Sequence, residues 1–450
     1  GAIVVEPIIG LHEWVACLDW KSLYPSIIRT FNIDVETYVR DLRKANLNEC
    51  YILTNEDGSK KWAFRKKPRG LVPQMLDDFV ELRDKYKKMM KKEKDPEKKR
   101  ILNTKQEVYK VLANAVYGSF GYRSRIHSLE VAEAVTSMGR LLILFAKNVA
   151  EMLGFRVVYG DTDSVMITSN AKSFGEAYNN GVLLQDEILK RLPQYLKQFG
   201  WSGKNSYFYI KLEKIYDRFF MAKKKRYCGR IVTLSGEKKI DVKGLDVKRS
   251  DTSNFARKLQ EELIRIILEG KTSGDIAKRI AERINKYDTL PLEEIGVPSA
   301  ISKPFNEYRA NSIQKRAALN SNKYLGTKFD YGDKPKRVYI IPPQEYEVDR
   351  NIPKFESKVM KELDVIAFDE NTKFPKWVKI DYPRMIQKTV KPKIERFLEA
   401  LNLTWEDIES YLREELRSKK KKRKKKVGEI TLDRFLGERK DVDKISTDSS

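Results

Sequence analysis

The sequence predicts an α+β protein of several subdomains, and three patterns carry that reading. They are a buried strand ending on an aspartate, a β-hairpin with aspartates at its tip, and two long amphipathic helices joined by a break. The chain has 450 residues, more than one core's worth, since single domains rarely grow far past ~250 residues.

Residues 14–19 read as the buried strand, which delivers Asp19 and is followed by a turn into residues 22–28. Residues 155–159 and 164–168 read as the hairpin, with Asp161 and Asp163 in the connecting turn. Between them, Val72, Met75, Leu76, Phe79, Tyr86 and Met90 space a helix over 72–94. Ile101, Leu102, Val108, Leu112 and Val116 space a second over 98–117, and Asp95, Pro96 and Glu97 break the two into an antiparallel pair. A long helix follows at 128–153. Residues 250–420 read as mainly helical, with helices at 251–270, 274–287 and 385–402 and a Lys/Arg-rich, Tyr-bearing stretch at 303–340. From residue 418 the chain turns polar and low in complexity, which reads as a disordered tail.

A net charge of +25 points to a polyanionic partner, with nucleic acid ahead of membrane. Nine basic residues lie within 417–426, yet the rest of the chain stays strongly basic without them. The three cysteines, Cys17, Cys50 and Cys228, lack CxxC spacing, which argues against a disulfide framework or a cysteine zinc site. With His12 and His127 the only histidines, a catalytic metal must be held by carboxylates, which suits Mg2+, or Mn2+ in its place. The longest apolar run, 141–146, is far below the ~18 residues of a membrane span, and the expected setting is the cytoplasm, associated with the nucleoid.

Acidic strand ends at Asp19, Asp161 and Asp163 are what a two-metal nucleotidyl transfer site requires, although a single turn aspartate is ordinarily turn chemistry. Lys110 and Asn114 share a helix face that Tyr117 and Gly118 continue, and Arg83 and Lys87 repeat the four-residue spacing on the facing helix. Such a hairpin could neutralise a triphosphate and close over it; the plainer reading is a solvated basic surface.

In order and spacing, DWKSLYPSI at 19–27, KVLANAVYG at 110–118, YGDTDS at 159–164 and KKRY at 224–227 resemble the signature motifs of family B DNA polymerases, archaeal replicative members above all. The resemblance extends to about residue 415 and implies a right-hand fold. Its parts would be an antiparallel-sheet palm at 1–70 and 123–240, helical-hairpin fingers at 71–122, a mainly helical thumb at 241–417 and the tail at 418–450. It implies template-directed addition of deoxynucleotides to a primer 3′ end with two Mg2+ ions. Asp19 and Asp163 would bridge the metals, with Asp161 nearby and less essential. The amides of Leu23 and Tyr24 would hold phosphate oxygens, and the Tyr24 ring would exclude a 2′-hydroxyl. Lys110 and Arg83, with Lys87 on the same hairpin, would bind the triphosphate, Lys110 also donating a proton to the leaving pyrophosphate. Asn114 would touch the nucleotide, Gln106 would support that face, and Tyr117 and Gly118 would lie under the nascent base pair. Lys224, Lys225, Arg226 and Tyr227 would grip the duplex near the primer end, with Arg249, Lys303, Tyr308, Arg309, Lys315 and Arg316 further along it.

The sequence departs from the family at Ala115, where Ser is usual. Gly1 stands where the last glycine of the linker from an upstream exonuclease domain would be, so a separate polypeptide carrying the exonuclease half is an expected partner, beside primer-template DNA and deoxynucleoside triphosphates. In the tail, Leu432, Phe435 and Leu436 have the spacing of a sliding-clamp-binding box, with Glu429 in place of its usual Gln. Two alternatives remain: a catalytically inactive paralogue serving as a replisome scaffold, against which the complete charged set speaks, and another palm enzyme such as a reverse transcriptase, against which YGDTDS and KKRY speak.

Overall fold

The computed structural model describes residues 1–414 other than 45, 47, 123–125, 204–205, 246, 248 and 309–311; the clamp-box residues Leu432, Phe435 and Leu436 and the basic run lie outside the described residues, as does Arg309. The chain divides into two compact units, residues 1–243 and 244–450.

In chain order the first unit runs β1 (Val4–Val5), β2 (Gly10–Trp20), α1 (Leu23–Thr30), β3 (Tyr38–Val39), β4 (Cys50–Thr54), β5 (Lys61–Arg65), α2 (Leu71–Lys92), α3 (Pro96–Gly121), α4 (Leu129–Met152), β6 (Arg156–Asp161), β7 (Ser164–Thr168), α5 (Phe174–Leu196), β8 (Ile210–Lys223), β9 (Arg226–Val232) and β10 (Lys238–Lys243). A seven-stranded sheet, ordered β1-β6-β7-β2-β8-β9-β10, is antiparallel at every pairing. The centre of β2 is apolar on both faces because both are covered. Leu18 and Trp20 join Ile27, Val135, Leu142 and Ile188 of the helices in one core, while Val15 and Cys17 pack with Tyr159, Phe219 and Met221 in another. Helix α4 follows the same logic, being apolar around most of its circumference and packed against α1, α3, α5 and the sheet.

Helices α2 and α3 form a hairpin whose tip is set by local chemistry. Asp95 caps α3 by accepting from the amides of Glu97 and Lys98, and Pro96 occupies the first turn, where its missing N–H costs nothing. The hairpin is held at its foot. The Val72 amide donates to Asp34 Oδ2 at 2.7 Å and the Gly70 amide to Asn32 Oδ1 at 2.9 Å. Asp77 pairs with Arg29 at 2.6 Å and with Arg69 at 2.7 Å. Only Val72, Pro73 and Leu76 of α2 are buried, so most of its length stands clear of the core.

The second unit comprises α6 (Asn254–Leu268), α7 (Ser273–Ile284), α8 (Leu292–Ile295), β11 (Val297–Pro298), α9 (Ile313–Tyr324), β12 (Lys336–Tyr339), α10 (Glu345–Val348), β13 (Val365–Phe368), α11 (Tyr382–Met385) and α12 (Lys391–Ala400). The described part of the second unit is mainly helical, as expected, and it also carries a small three-stranded sheet of β11, β12 and β13, on which α9 packs, that was not expected. These strands are too short for alternation to register, and all four residues of β13 are buried, so no polar face marks it. The helix expected over 385–402 is broken into α11, a π turn at Ile386–Val390 and α12, because Pro392 cannot donate to the ladder. Among the described residues no helix is long and apolar enough to cross a membrane.

Candidate active site

Register brings the acids together. Asp19, near the end of β2, lies opposite Ser164 of β7, and the Trp20 amide donates to the Asp163 carbonyl at 2.8 Å. The turn from β6 to β7 places Thr162 at φ 52°, a left-handed conformation that reverses the chain and leaves Asp161 and Asp163 flanking it. A cleft of about 400 Å3 is lined by Asp19, Asp161, Asp163, Glu213, Lys214, Lys225 and Tyr227. A larger hollow of about 770 Å3 lies at the small β3-β5-β4 sheet, lined by Tyr38, Arg40, Cys50, Arg65 and Lys66 among others. It lacks a desolvated acid pair, so charge and burial, not size, locate the site.

Burial, reinforced by Asp163 and Glu213 and opposed by Lys214, pushes the Asp19 carboxyl up to about 7. Asp163 is also raised, mainly by burial, with Asp161 and Glu213 adding repulsion. Asp161 differs because Lys225 Nζ sits 2.6 Å from its Oδ1. That lysine belongs to the turn between β8 and β9, at φ 62°, and its amide donates to the Tyr159 hydroxyl at 2.9 Å. Lys224 pairs with Glu6 at 2.5 Å, while Tyr227 packs beside Tyr159 and Phe219. The KKRY segment is therefore a hairpin tip beside the acids.

Glu213 was not singled out from sequence. Pairing shifts between Cys17 and Leu18, which face Lys214 and Leu212, so Glu213 is the extra residue of a β-bulge. A bulge re-aims its side chain, and no alternation rule marks it beforehand.

The α2–α3 hairpin supplies the cations. Arg83 and Lys87 stand on α2; Lys110, Asn114, Tyr117 and Gly118 stand on α3, with Gln106 buried and donating to Asn103 and Glu107. Lys87 is lowered by burial and then by Arg83 and Lys21, so three cations crowd one another. None of the three has an ion-pair partner among the described residues, and Arg83 Nε is buried without a hydrogen bond. Such a cluster matches a bound polyanion. Lys21 is a second addition to the sequence reading; it directly follows the β2 strand.

Leu23 and Tyr24 open α1, whose N-terminus has no side-chain cap, leaving amides for an anion. The Tyr24 ring is half-buried with its centroid 4.6 Å from that of Tyr117. Burial raises its hydroxyl to about 12, with Tyr117 and Asp163 adding to the effect.

In the second unit, Lys303 is exposed, Lys315 is half-buried on α9, and the Tyr308 hydroxyl accepts from the Ser302 amide at 2.8 Å. Arg249 pairs with Asp251 at 2.7 Å. Arg316 is held on Asp364, which Arg384 also engages at 2.7 Å, so its guanidinium serves that internal pair.

The donor set fits divalent cations. Asp19 and Asp163 are partly desolvated, mutually repelling oxygen donors with no lysine or arginine directly paired to them among the described residues. Among the described residues no group of three or more such side chains converges to hold an ion alone. A divalent ion held on Asp19 would compete with its proton, so Mg2+ affinity would be expected to rise with pH up to about 7 and then level off. Calorimetric Mg2+ titrations from pH 5.5 to 8.5 check this; an affinity flat across that range refutes it.

The sequence matches the model of DNA polymerase family B over residues 1–401. It is 34% identical over 327 residues to a DNA polymerase of Archaeoglobus fulgidus, covering 71% of this chain and 38% of that relative. It is 31% identical over 412 residues to DNA polymerase 1 of Pyrococcus abyssi, covering 91% of this chain and 48% of the relative. The solved family B DNA polymerase from Pyrobaculum calidifontis matches with a TM-score of 0.60 at 28% identity, over 90% of this chain and 47% of that one. The chain belongs to DNA polymerase family B. It spans about half or less of the length of these relatives.

Proposed function

We propose that this chain is the polymerising part of a DNA-directed DNA polymerase, adding deoxynucleotides to a primer 3′ end with release of pyrophosphate. The observation that carries the reading is the raised, mutually repelling pair Asp19 and Asp163 in the same unit as Arg83 and Lys87 of the α2–α3 hairpin, which have no ion-pair partner among the described residues. A scaffold needs neither.

Asp19 and Asp163 would hold Mg2+, which when bound activates the primer hydroxyl and neutralises the triphosphate. Arg83, Lys87, Lys110 and Lys21 bind and orient the phosphates, and Lys110 is the proton donor to the departing pyrophosphate. Its neighbour Glu107, 3.5 Å away, steadies that side chain without burying it. The α1 amides add neutral donors for phosphate oxygens. The Tyr24 ring fills the space a 2′-hydroxyl would need, and Tyr117 and Gly118 lie under the new base pair. Lys224, Lys225 and Arg226 hold the duplex without reading its sequence. In this reading β2, β6–β9 form the palm, α2–α3 the fingers and the second unit the thumb. The test is primer extension with and without Mg2+; extension unchanged by chelation would sink the reading.

Excision of a mismatched 3′ end is assigned to a separate polypeptide covering the sheet edge at β1. Among the described residues Val4 and Val5 pair only with β6, and Ile3 and Val5 tuck against the core. The same assay on a mismatched primer decides it, since metal-dependent trimming by this chain alone contradicts the assignment.

Leu432, Phe435 and Leu436 are proposed to enter an apolar pocket on a sliding clamp, with the basic run lending nonspecific DNA affinity. Removing residues 428–450 is expected to abolish clamp stimulation and leave short-primer extension intact; stimulation that survives places the contact in the folded body.

A further inference from the structure

The geometry points to Gly139 as a positioning residue for sugar selection, acting through Tyr24; this rests on the reading of Tyr24 as the sugar gate. Gly139 lies inside α4, where glycine is otherwise unfavourable by about 1 kcal/mol relative to alanine, so a close approach must account for it. A Cβ at Gly139 would meet Tyr24 Cε1 at 3.0 Å and Cδ1 at 3.7 Å, with Ile27 Cδ1 at 3.8 Å. One edge of the ring thus rests directly on the α4 backbone.

The Tyr117 ring, on α3, contacts the same tyrosine at 4.6 Å between centroids with the planes 53° apart. The gate therefore touches both a seat on α4 and an aromatic neighbour on the cationic hairpin. Helix α4 lies on the buried side of Tyr24, in the core shared by Leu23, Ile27 and Met138. A methyl group added at Gly139 pushes the ring away from that core, toward the cleft where the sugar would sit. The displacement needed is only a few tenths of an ångström, but a gate that separates hydrogen from hydroxyl works at that scale.

Gly139→Ala is expected to raise KM for deoxynucleotides about three- to tenfold, with kcat changed less, and to lower ribonucleotide incorporation further relative to deoxynucleotide. In a Tyr24→Ala background the same substitution is expected to change neither quantity, because nothing remains to be displaced. That double variant also relieves the crowding, so it folds if crowding is the sole defect; thermal melting of all variants checks this. Gly139→Ala with unaltered KM and unaltered sugar ratio overturns the inference, as does an effect that persists without the Tyr24 ring, which would mark general damage to α4. The gate reading fails separately, if Tyr24→Ala by itself leaves sugar selection unchanged.

Discussion

Asp19→Asn and Asp163→Asn are each expected to lower primer extension by roughly three orders of magnitude or more, with primer-template affinity retained. An amide of the same shape could not supply the charge that would hold Mg2+, while the cations proposed to grip DNA lie on other elements. Stability separates this chemistry from a structural role. The Asp19 carboxyl is raised from 3.8 to about 7 in the folded chain, so between those values the folded state binds more protons than the unfolded one. Metal-free stability therefore falls as pH rises across that window and levels off above it. Asn carries no such burden, so at pH 8 without metal Asp19→Asn should melt at or above the temperature of the parent. Asp161→Asn should be milder in activity, because Lys225 already offsets that carboxylate at 2.6 Å. DNA affinity that falls in parallel with extension, or a collapsed melting temperature, would show that Asp19 and Asp163 are structural.

Tyr24→Ala is expected to raise ribonucleotide incorporation relative to deoxynucleotide by about two orders of magnitude. The ring stands in the first turn of α1, is half-buried, and is contacted by both Gly139 and Tyr117. A side chain packed in this way cannot swing aside for an extra hydroxyl at low cost. Tyr24→Phe should keep the selection, since ring volume and not the hydroxyl would do the excluding. An incorporation ratio that stays at the parental value in Tyr24→Ala removes the gate from this residue.

What could be read from the chain followed from periodicity and chemical type. The acidic ends of β2 and of the β6–β7 hairpin were legible because apolar runs stop abruptly on aspartate. The α2–α3 pair was legible because Asp95 and Pro96 mark the restart of a helix. Glu213 was not, because a bulge defeats counting by twos, nor was Lys21, whose neighbours on α2 come from more than sixty residues away. The ion pair that occupies Arg316 depends on Asp364, reached only through the fold of β13, and a buried four-residue strand leaves no polar face to detect. Gly139 was passed over because a glycine inside a helix looks like a defect until the ring beside it is seen.

The anchoring of α2 at one end has a mechanical consequence. Its 22 residues make a rod of about 33 Å, fixed at the foot by Asn32, Asp34, Arg29 and Arg69. Arg83 stands about 9 Å beyond Asp77, the last of the anchored residues, so a turn of about 20° there sweeps it through about 3 Å. The foot is a fulcrum and the cations ride on the long arm. Substitutions at Asn32 or Asp34, remote from any phosphate, are thereby geared up into ångström-scale misplacement of charge, and should shift KM and kcat together.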